Sequence, residues 1–202
     1  MQPRLVRPRA GILQSLRFRK CARWLTRSRP IIEAFDLHLH GLSLNFAVIG
    51  GAALALMGVI QRPTRDFDIL VPELPEAIAS AARDFAKAQR DSGVELQGDW
   101  LNNGPIQLGD GLPTGWRERA KRIFEGQALA LSTLGRPDLL KSKLFALCDR
   151  GTDLPDCIAL APTAEELAEC QPWLEAQDGN ELWPAHVRAT FADLARRLGH
   201  GV

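Results

Sequence analysis

The chain has 202 residues, with 25 lysines and arginines against 24 aspartates and glutamates, and 46% of its residues are hydrophobic. This composition is typical of a soluble globular protein, and it excludes a disordered chain, a collagen-like fibre and a histone-like basic protein. The four cysteines are too few and too scattered for a disulfide framework, so we expect reduced thiols and a cytoplasmic location.

The near-zero net charge conceals a division along the chain. Residues 1–30 contain nine lysines and arginines and no acidic residue, which leaves a net charge of −8 on residues 31–202. We therefore predict a basic N-terminal arm over residues 1–30. Three interpretations stay open for it: a disordered tail, an arm that contacts nucleic acid, or a translated upstream extension.

Residues 31–135 show alternating helix and strand patterns. The predicted elements, in order, are a helix over 31–40, a strand over 45–49, a helix over 52–57, a strand over 66–71 and a helix over 75–90. Further strand candidates are 94–97, 105–108 and 128–133, separated by turns rich in glycine, proline and asparagine. The uncharged run between His40 and Arg62 is not a membrane span. Its apolar part, residues 46–60, is shorter than the ~20 residues that a span needs, and Gly50-Gly51 interrupts it.

The chain becomes helical from about Asp138. A capping box at Thr163 and Glu166 opens one helix, which we expect Pro172 to end, and Gly199 closes the last helix. The sequence thus predicts an α/β (α+β) fold: a small mixed-sheet core over 31–135 flanked by helices, and a helical C-terminal part over 136–202 packed on that core.

Two carboxylates on one strand are the first candidate site. Asp66 and Asp68 stand two residues apart, so both side chains project from one face while Phe67 and Ile69 enter the core from the other. Adjacent carboxylates repel each other unless a cation lies between them. Mg²⁺ binds through one or two carboxylates plus substrate phosphates, so this pattern predicts a magnesium site.

Gly50-Gly51 is the second candidate site. Glycines at a turn from strand to helix let backbone N–H groups converge on an anion, and the start of a helix adds its positive dipole end. A phosphate-binding turn that precedes a strand with paired carboxylates indicates a nucleotide site.

The pattern Gly-Gly, short helix, then Arg62-x-Thr64-x-Asp66-x-Asp68 resembles the nucleotidyltransferase fold of the polymerase-β type. Within that superfamily, the chain is similar to bacterial proteins related to AbiEii-type abortive-infection toxins. Four later segments carry that narrower resemblance: Trp-Leu-Asn-Asn-Gly at 100–104, Leu-Pro-Thr-Gly-Trp-Arg-Glu-Arg at 112–119, Lys-Leu-Phe-Ala at 143–146, and Asp156 leading into Ala-Leu-Ala-Pro-Thr at 159–163.

The resemblance implies roles for particular residues. Gly50, Gly51, Arg62 and Thr64 would hold the NTP, and Asp66 and Asp68 would bind Mg²⁺. Toxin relatives also use a lysine on a helix and a later Asp-x-x-Asp element, which Lys143 and the segment from Asp153 to Asp156 match. Lys143 would then contact a phosphate, and Asp156 would position the nucleophile or a metal.

The chain departs from the polymerase-like pattern at a third carboxylate, which those relatives carry on a neighbouring strand. The strand candidate at 105–108 offers only Gln107, and an amide cannot act as a general base. Either Glu95, Asp99 or Asp156 fills that role, or the protein binds a nucleotide without efficient transfer.

From these features we expect a Mg²⁺-dependent enzyme that transfers a nucleoside monophosphate from an NTP to an acceptor hydroxyl. The resemblance suggests a toxin–antitoxin role, with a tRNA or other RNA reached through the basic arm, or a protein, as acceptor, and a cognate antitoxin as partner. Two alternatives stay open: a catalytically inactive nucleotidyltransferase-fold binding protein, and an enzyme that modifies a small molecule such as an antibiotic.

Overall fold

The computed structural model describes residues 28–201. The predicted basic arm therefore lies outside the described residues except for its last three positions, which form the start of the first helix. Within residues 28–201, no helix is both long and apolar enough to span a lipid bilayer.

The helices and strands follow one another in this order: α1 (Ser28–His38), β1 (Leu44–Ile49), α2 (Gly50–Leu56), β2 (Phe67–Val71), α3 (Glu76–Asp91), β3 (Leu101–Asn102), α4 (Leu108–Gly111), α5 (Trp116–Arg119), β4 (Lys121–Glu125), β5 (Leu129–Thr133), α6 (Arg136–Arg150), α7 (Leu154–Leu160), α8 (Ala164–Glu175) and α9 (Trp183–Leu198).

The five strands form one mixed sheet in the order β3-β2-β1-β5-β4. β1 runs antiparallel to β2 and parallel to β5, while β2 and β3 are parallel and β4 and β5 antiparallel. The carboxyl ends of β1 and β5 therefore meet at one edge of the sheet, where β1 leads directly into α2.

Both faces of the sheet are covered, because strand residues alternate between two hydrophobic clusters. Phe46 and Val48 of β1 pack with α1 and α3, whereas Ala47 and Ile49 pack with α6 to α9. β2 divides in the same way: Phe67 and Ile69 join the first cluster and Leu70 the second. The predicted fold class, a small mixed sheet flanked by helices with a helical C-terminal part, is confirmed.

Two of the predicted strands are wrong. Residues 94–97 form an irregular segment without strand pairing, and residues 105–108 form a turn that leads into α4. The strand beside β2 is instead Leu101–Asn102. Asn103 then ends it, because its amide donates to the carbonyls of Ile69 and Pro72 and accepts from the N–H of Leu74.

The prediction that Pro172 ends its helix is also wrong, since α8 continues to Glu175. Leu174 is fully buried in the second cluster, and its carbonyl accepts a hydrogen bond from the Trp183 indole at 2.7 Å. This tertiary packing outweighs the backbone hydrogen bond that a proline within a helix forfeits. The capping box at Thr163 and Glu166 is present as predicted.

Candidate active site

The glycine turn lies directly against Asp68. Gly50 has a φ of +74°, a conformation that favours glycine. A Cβ at Gly50 would also lie 2.6 Å from Oδ2 of Asp68. Two independent constraints, backbone conformation and close approach, thus require glycine here. The structure therefore brings together the two motifs that the sequence pattern linked.

Gly51 faces the loop that precedes β2. A Cβ on Gly51 would lie 3.0 Å from Cγ2 of Thr64 and 3.7 Å from Nη2 of Arg62. The Thr64 hydroxyl is in turn 3.0 Å from the hydroxyl of Ser28 at the start of α1. Arg62 and Thr64, both of which the sequence associates with the nucleotide, therefore flank the glycine turn.

The two predicted metal ligands differ in their surroundings. Asp66 is exposed and immediately precedes β2, whereas Asp68 lies within the strand and is half-buried. Burial and the neighbouring charge of Asp66 raise the pKa of Asp68 from the ordinary 3.8 to about 6, against smaller opposing effects of Lys143 and Asn102. The ionised form of Asp68 therefore lacks sufficient positive charge nearby.

A group of cations and carboxylates lies beside the turn. Lys143 Nζ is 2.7 Å from Oδ2 of Asp156 and 2.8 Å from Oδ1 of Asp153. Arg62 donates from Nη2 to Oδ1 of Asp156 at 2.7 Å, and Arg150 donates to Asp153 at 3.1 Å. Three cations against two carboxylates leave one positive charge on this group, next to Gly51.

Burial distinguishes the members of this group. The side chains of Lys143 and Asp156 are 8% and 2% exposed, but that of Arg62 is 51% exposed. Burial alone would lower the pKa of Lys143, but hydrogen bonds from its ammonium group to Asp153 and Asp156 raise it. Lys143 therefore stays charged. Arg62 and Arg150, whose side chain is 61% exposed, are the cations with room to contact a ligand.

A cavity of about 460 Å³ lies between the sheet edge and α6, a size typical of small-molecule sites. It is lined by Ile49, Gly50, Asp68, Gly104, Pro105, Leu108, Ser142, Lys143, Phe145, Ala146, Asp149, Arg150 and Asp153. Gly50, Asp68 and Lys143 are thus brought to one cavity. Asp66, Gly51, Arg62, Thr64 and Asp156 lie outside its lining.

β3, the strand that pairs with β2, carries an amide beside Asp68 and not the third carboxylate of polymerase-like proteins. Asn102 is the register partner of Asp68 across β2 and β3. Its amide oxygen accepts from the N–H of Gly104 at 2.7 Å, and its nitrogen donates to the Asp99 carbonyl. Glu95 and Asp99, two of the proposed substitutes, are exposed and do not line the cavity.

Several residues that line the cavity were not predicted as site residues from the sequence, notably Ser142, Phe145, Asp149 and Gly104. The first three recur on α6 at helical spacing, a signal that also fits an ordinary amphipathic helix. Two tryptophans in the segments that carry the narrower resemblance are buried and therefore do not stack on a base. Trp100 and Trp116 are 1% and 3% exposed, and their indoles donate to the carbonyls of Ala82 and Gly109.

Comparison with known proteins identifies the family. A family model described as "Nucleotidyltransferase of unknown function (DUF6036)" matches residues 31–160, which is more than half of the chain and includes Gly50, Asp68 and Lys143. The chain belongs to this nucleotidyltransferase family. The resemblance to nucleotidyltransferases is thereby confirmed, whereas the relation to AbiEii-type toxins stays a prediction.

Two other comparisons add context. No curated protein matches the chain. Among solved structures, an antigenic nucleotidyltransferase-like protein from Paracoccidioides brasiliensis is similar at 17% sequence identity. That similarity covers 84% of this chain and 85% of the fungal protein, with a TM-score of 0.42.

Proposed function

We propose that this nucleotidyltransferase-family protein transfers a nucleoside monophosphate from an NTP to an acceptor hydroxyl and releases pyrophosphate. The observation that carries the proposal is the cavity in which Gly50, Asp68 and Lys143 meet. Its volume suits a nucleotide, and its lining combines a glycine turn with three carboxylates, two cations and apolar side chains. Family membership and this site support the same reaction class.

Asp66 and Asp68 fit a magnesium ion. Burial and the charge of Asp66 raise the pKa of Asp68, which supports this assignment because an ion bound between the two carboxylates would offset both effects. Among residues 28–201 no group of three or more potential ligands is present, so the remaining ligands would be phosphate oxygens and water. When bound, such an ion neutralises phosphate charge and orients the phosphates.

The chain's own groups would then orient the triphosphate. In this proposal backbone N–H groups of Gly50-Gly51 bind phosphate oxygens, and the exposed Arg62 guanidinium donates to them from beside Gly51. Asp156 is a positioning residue, since its two oxygens hold Arg62 and Lys143 in place. Most of the rate enhancement would come from orientation and charge neutralisation, as is general for phosphoryl transfer.

The groups that pair with Asp68 or with Lys143 are poor recipients for the acceptor's proton. Asn102 cannot accept it as a base, and Asp156 is buried between two cations. Asp153 lines the cavity, but hydrogen bonds from Lys143 and Arg150 lower its pKa despite its burial, which makes it a weak base. This arrangement favours slow transfer. The alternative function is therefore that of a catalytically inactive protein that binds a nucleotide.

We propose an RNA, such as a tRNA, as the acceptor, in a toxin–antitoxin-like role with a cognate antitoxin. Lys121 and Arg122 are exposed at the start of β4, and they pair with the carboxyl end of β5, at the sheet edge where β1 enters α2. Arg29 also contacts β4, because its guanidinium donates to the Ile123 carbonyl. These cations would attract the phosphate backbone of an RNA.

The acceptor alternatives are a protein side chain and a small molecule such as an antibiotic. Both lack an extended phosphate backbone, so neither gives the edge cations or the basic residues 1–27 a role. The RNA acceptor therefore accounts for more of the charge distribution.

Labelled NTPs test the proposal. The protein is incubated with Mg²⁺, each α-labelled NTP and either total tRNA, a cell lysate or aminoglycosides. We expect label to move to an acceptor with the wild-type chain and not with the Asp66→Ala/Asp68→Ala variant. Asp84→Ala, which changes an exposed carboxylate on α3, is the matched control and should retain transfer. Transfer that survives in the double variant would contradict the site assignment.

A further inference from the structure

One face of α6 forms a wall of the cavity. Ser142, Phe145, Ala146 and Asp149 all line it, and their spacing of three, four and seven residues places them on one stripe of the helix. At a rise of about 1.5 Å per residue, this stripe is about 10 Å long. That length is comparable to the distance between the phosphates of a nucleotide and the far edge of its base.

Asp149 lies at the solvent-exposed end of this stripe, where it lines the cavity. Among residues 28–201, Asp149 has no hydrogen-bond or ion-pair partner, because the adjacent Arg150 donates to Asp153 instead. An unpaired carboxylate weakens the binding of a polyanion such as an NTP unless the ligand offers it hydrogen-bond donors. The donors that an NTP carries are the ribose hydroxyls and the N–H groups of its base.

The apolar part of the lining beside Asp149 favours the base, and the charged neighbours Arg150 and Asp153 pair with each other. Phe145 and Ala146, one turn before it, are apolar and half-buried, and Pro105 and Leu108 add apolar lining from the segment after β3. Apolar and aromatic side chains bind the faces of a planar base, which leaves its polar edge to a group at the end of the apolar stretch. Asp149 occupies that position on α6.

We propose that Asp149 recognises the Watson–Crick edge of the base and makes the site selective for guanine. The inference rests on the proposed NTP site. Guanine offers two adjacent donors, N1–H and the 2-amino group, to the two acceptor oxygens of one carboxylate. Adenine and cytosine each place a ring acceptor beside their amino group, which a carboxylate repels. Uracil offers a single N–H flanked by two carbonyls.

Binding measurements with four NTPs and inosine triphosphate test this proposal. Inosine triphosphate matches GTP except for the missing 2-amino group. With the full chain and Mg²⁺, we expect GTP to bind about tenfold more tightly than inosine triphosphate, which is the scale of one charge-assisted hydrogen bond. Asp149→Asn should remove this difference, whereas Asp84→Asn, an exposed carboxylate on α3, should preserve it.

The other outcomes are distinguishable. Equal affinity of the wild-type chain for all NTPs, or a guanine preference that persists in Asp149→Asn, would overturn base recognition and leave the nucleotide site standing. A uniform loss of affinity for all NTPs in Asp149→Asn would assign the carboxylate to the ribose and also overturn it. The absence of binding by any NTP would contradict the proposed function itself.

Discussion

Asp68 is held where its charge is unfavourable without a cation. Its pKa is raised to about 6, so the folded chain binds a proton more tightly at this site than the unfolded chain, whose carboxyl has the ordinary value of 3.8. The resulting decrease in the free energy of unfolding is absent below pH 3.8 and grows as the pH rises from 3.8 to about 6. At neutral pH, ionised Asp68 therefore destabilises the metal-free fold.

This penalty predicts that Asp68→Asn stabilises the metal-free protein at pH 7.5, and that the gain shrinks as the pH is lowered toward 4. Chemical unfolding in the presence of a chelator, at several pH values, measures the difference. Asp84→Asn is the control, because Asp84 is exposed on α3. A stability difference that does not change between pH 4 and 7.5 would contradict this explanation.

Asp156 is predicted to be important for folding as well as for the site. Asp156→Ala leaves the buried ammonium group of Lys143 with one carboxylate and removes the partner of Arg62. Removing one partner of a buried ion pair costs about 3–5 kcal/mol. We expect a loss of that size in urea unfolding.

A surface ion pair provides the comparison for Asp156. Glu76→Ala removes the exposed partner of Arg83 and should cost less than about 1 kcal/mol. A similarly small loss in Asp156→Ala would mean that the buried group has little structural role.

Local spacing predicted part of the site, and the resemblance predicted Lys143 and Asp156. Gly50 and Asp68 lie in short motifs whose chemistry can be inferred from neighbours in the chain. Asn102 and Asp149 could not be found in this way. Asn102 lies beside Asp68 only because β3 pairs with β2, and Asp149 lines the cavity only because α6 lies over the sheet edge. Both placements depend on tertiary contacts, which local sequence patterns do not reveal.

At the scale of elements, Asp36 connects α1 to the turn between β4 and β5. Its carboxylate, 5% exposed, accepts hydrogen bonds from the backbone N–H groups of Gln127, Ala128 and Leu129 at 2.7–2.9 Å. A Cβ at Gly126 would overlap this carboxylate. One side chain thus satisfies the backbone donors of a tight turn.

We predict that Asp36→Ala costs about 2–4 kcal/mol, because several backbone donors lose a charged acceptor. Burial opposes ionisation of Asp36, but the three hydrogen bonds lower its pKa, so the contribution is present at neutral pH and is lost as the pH falls through the lowered value. Equilibrium unfolding of Asp36→Ala measures it. Asp84→Ala should change stability by less than about 0.5 kcal/mol, and an equal effect of the two substitutions would contradict the role of Asp36.

Elements with strong local signals were predictable from the sequence, and elements defined by tertiary contacts were not. The capping box at Thr163 and the apolar face of α3 identify their helices from a few neighbouring residues. By contrast, β3 consists of two residues, and its pairing with β2 makes it a strand. The prediction that Pro172 ends its helix was wrong for the same reason, since the tertiary packing of α8 outweighs the local helix-breaking preference of proline.

At the scale of the whole molecule, the uneven charge is the feature that the proposed RNA acceptor must explain. Residues 1–27 carry eight lysines and arginines, and the chain continues from them into Ser28, 3.0 Å from Thr64 beside the glycine turn. Lys121 and Arg122 lie at the same edge of the sheet. The described chain thus begins beside the glycine turn, and residues 31–202 have a net charge of −8.

Deleting residues 1–27 should therefore weaken RNA binding and flatten its dependence on salt, because fewer phosphates are neutralised. The affinity for NTP should not change. The variant Lys121→Glu/Arg122→Glu should act in the same direction, and Arg83→Glu/Lys87→Glu on α3 is the matched control. Unchanged RNA affinity and salt dependence after the deletion would contradict the role of the arm.

The position of the transferred label tests the central claim most directly. The wild-type protein is supplied with Mg²⁺, total tRNA and an NTP labelled either at the α- or at the γ-phosphate. Nucleotidyl transfer predicts that the α-label moves to the acceptor and that the γ-label leaves in pyrophosphate. Transfer of the γ-label, or retention of both labels in the NTP while the nucleotide is bound, would contradict the proposed reaction.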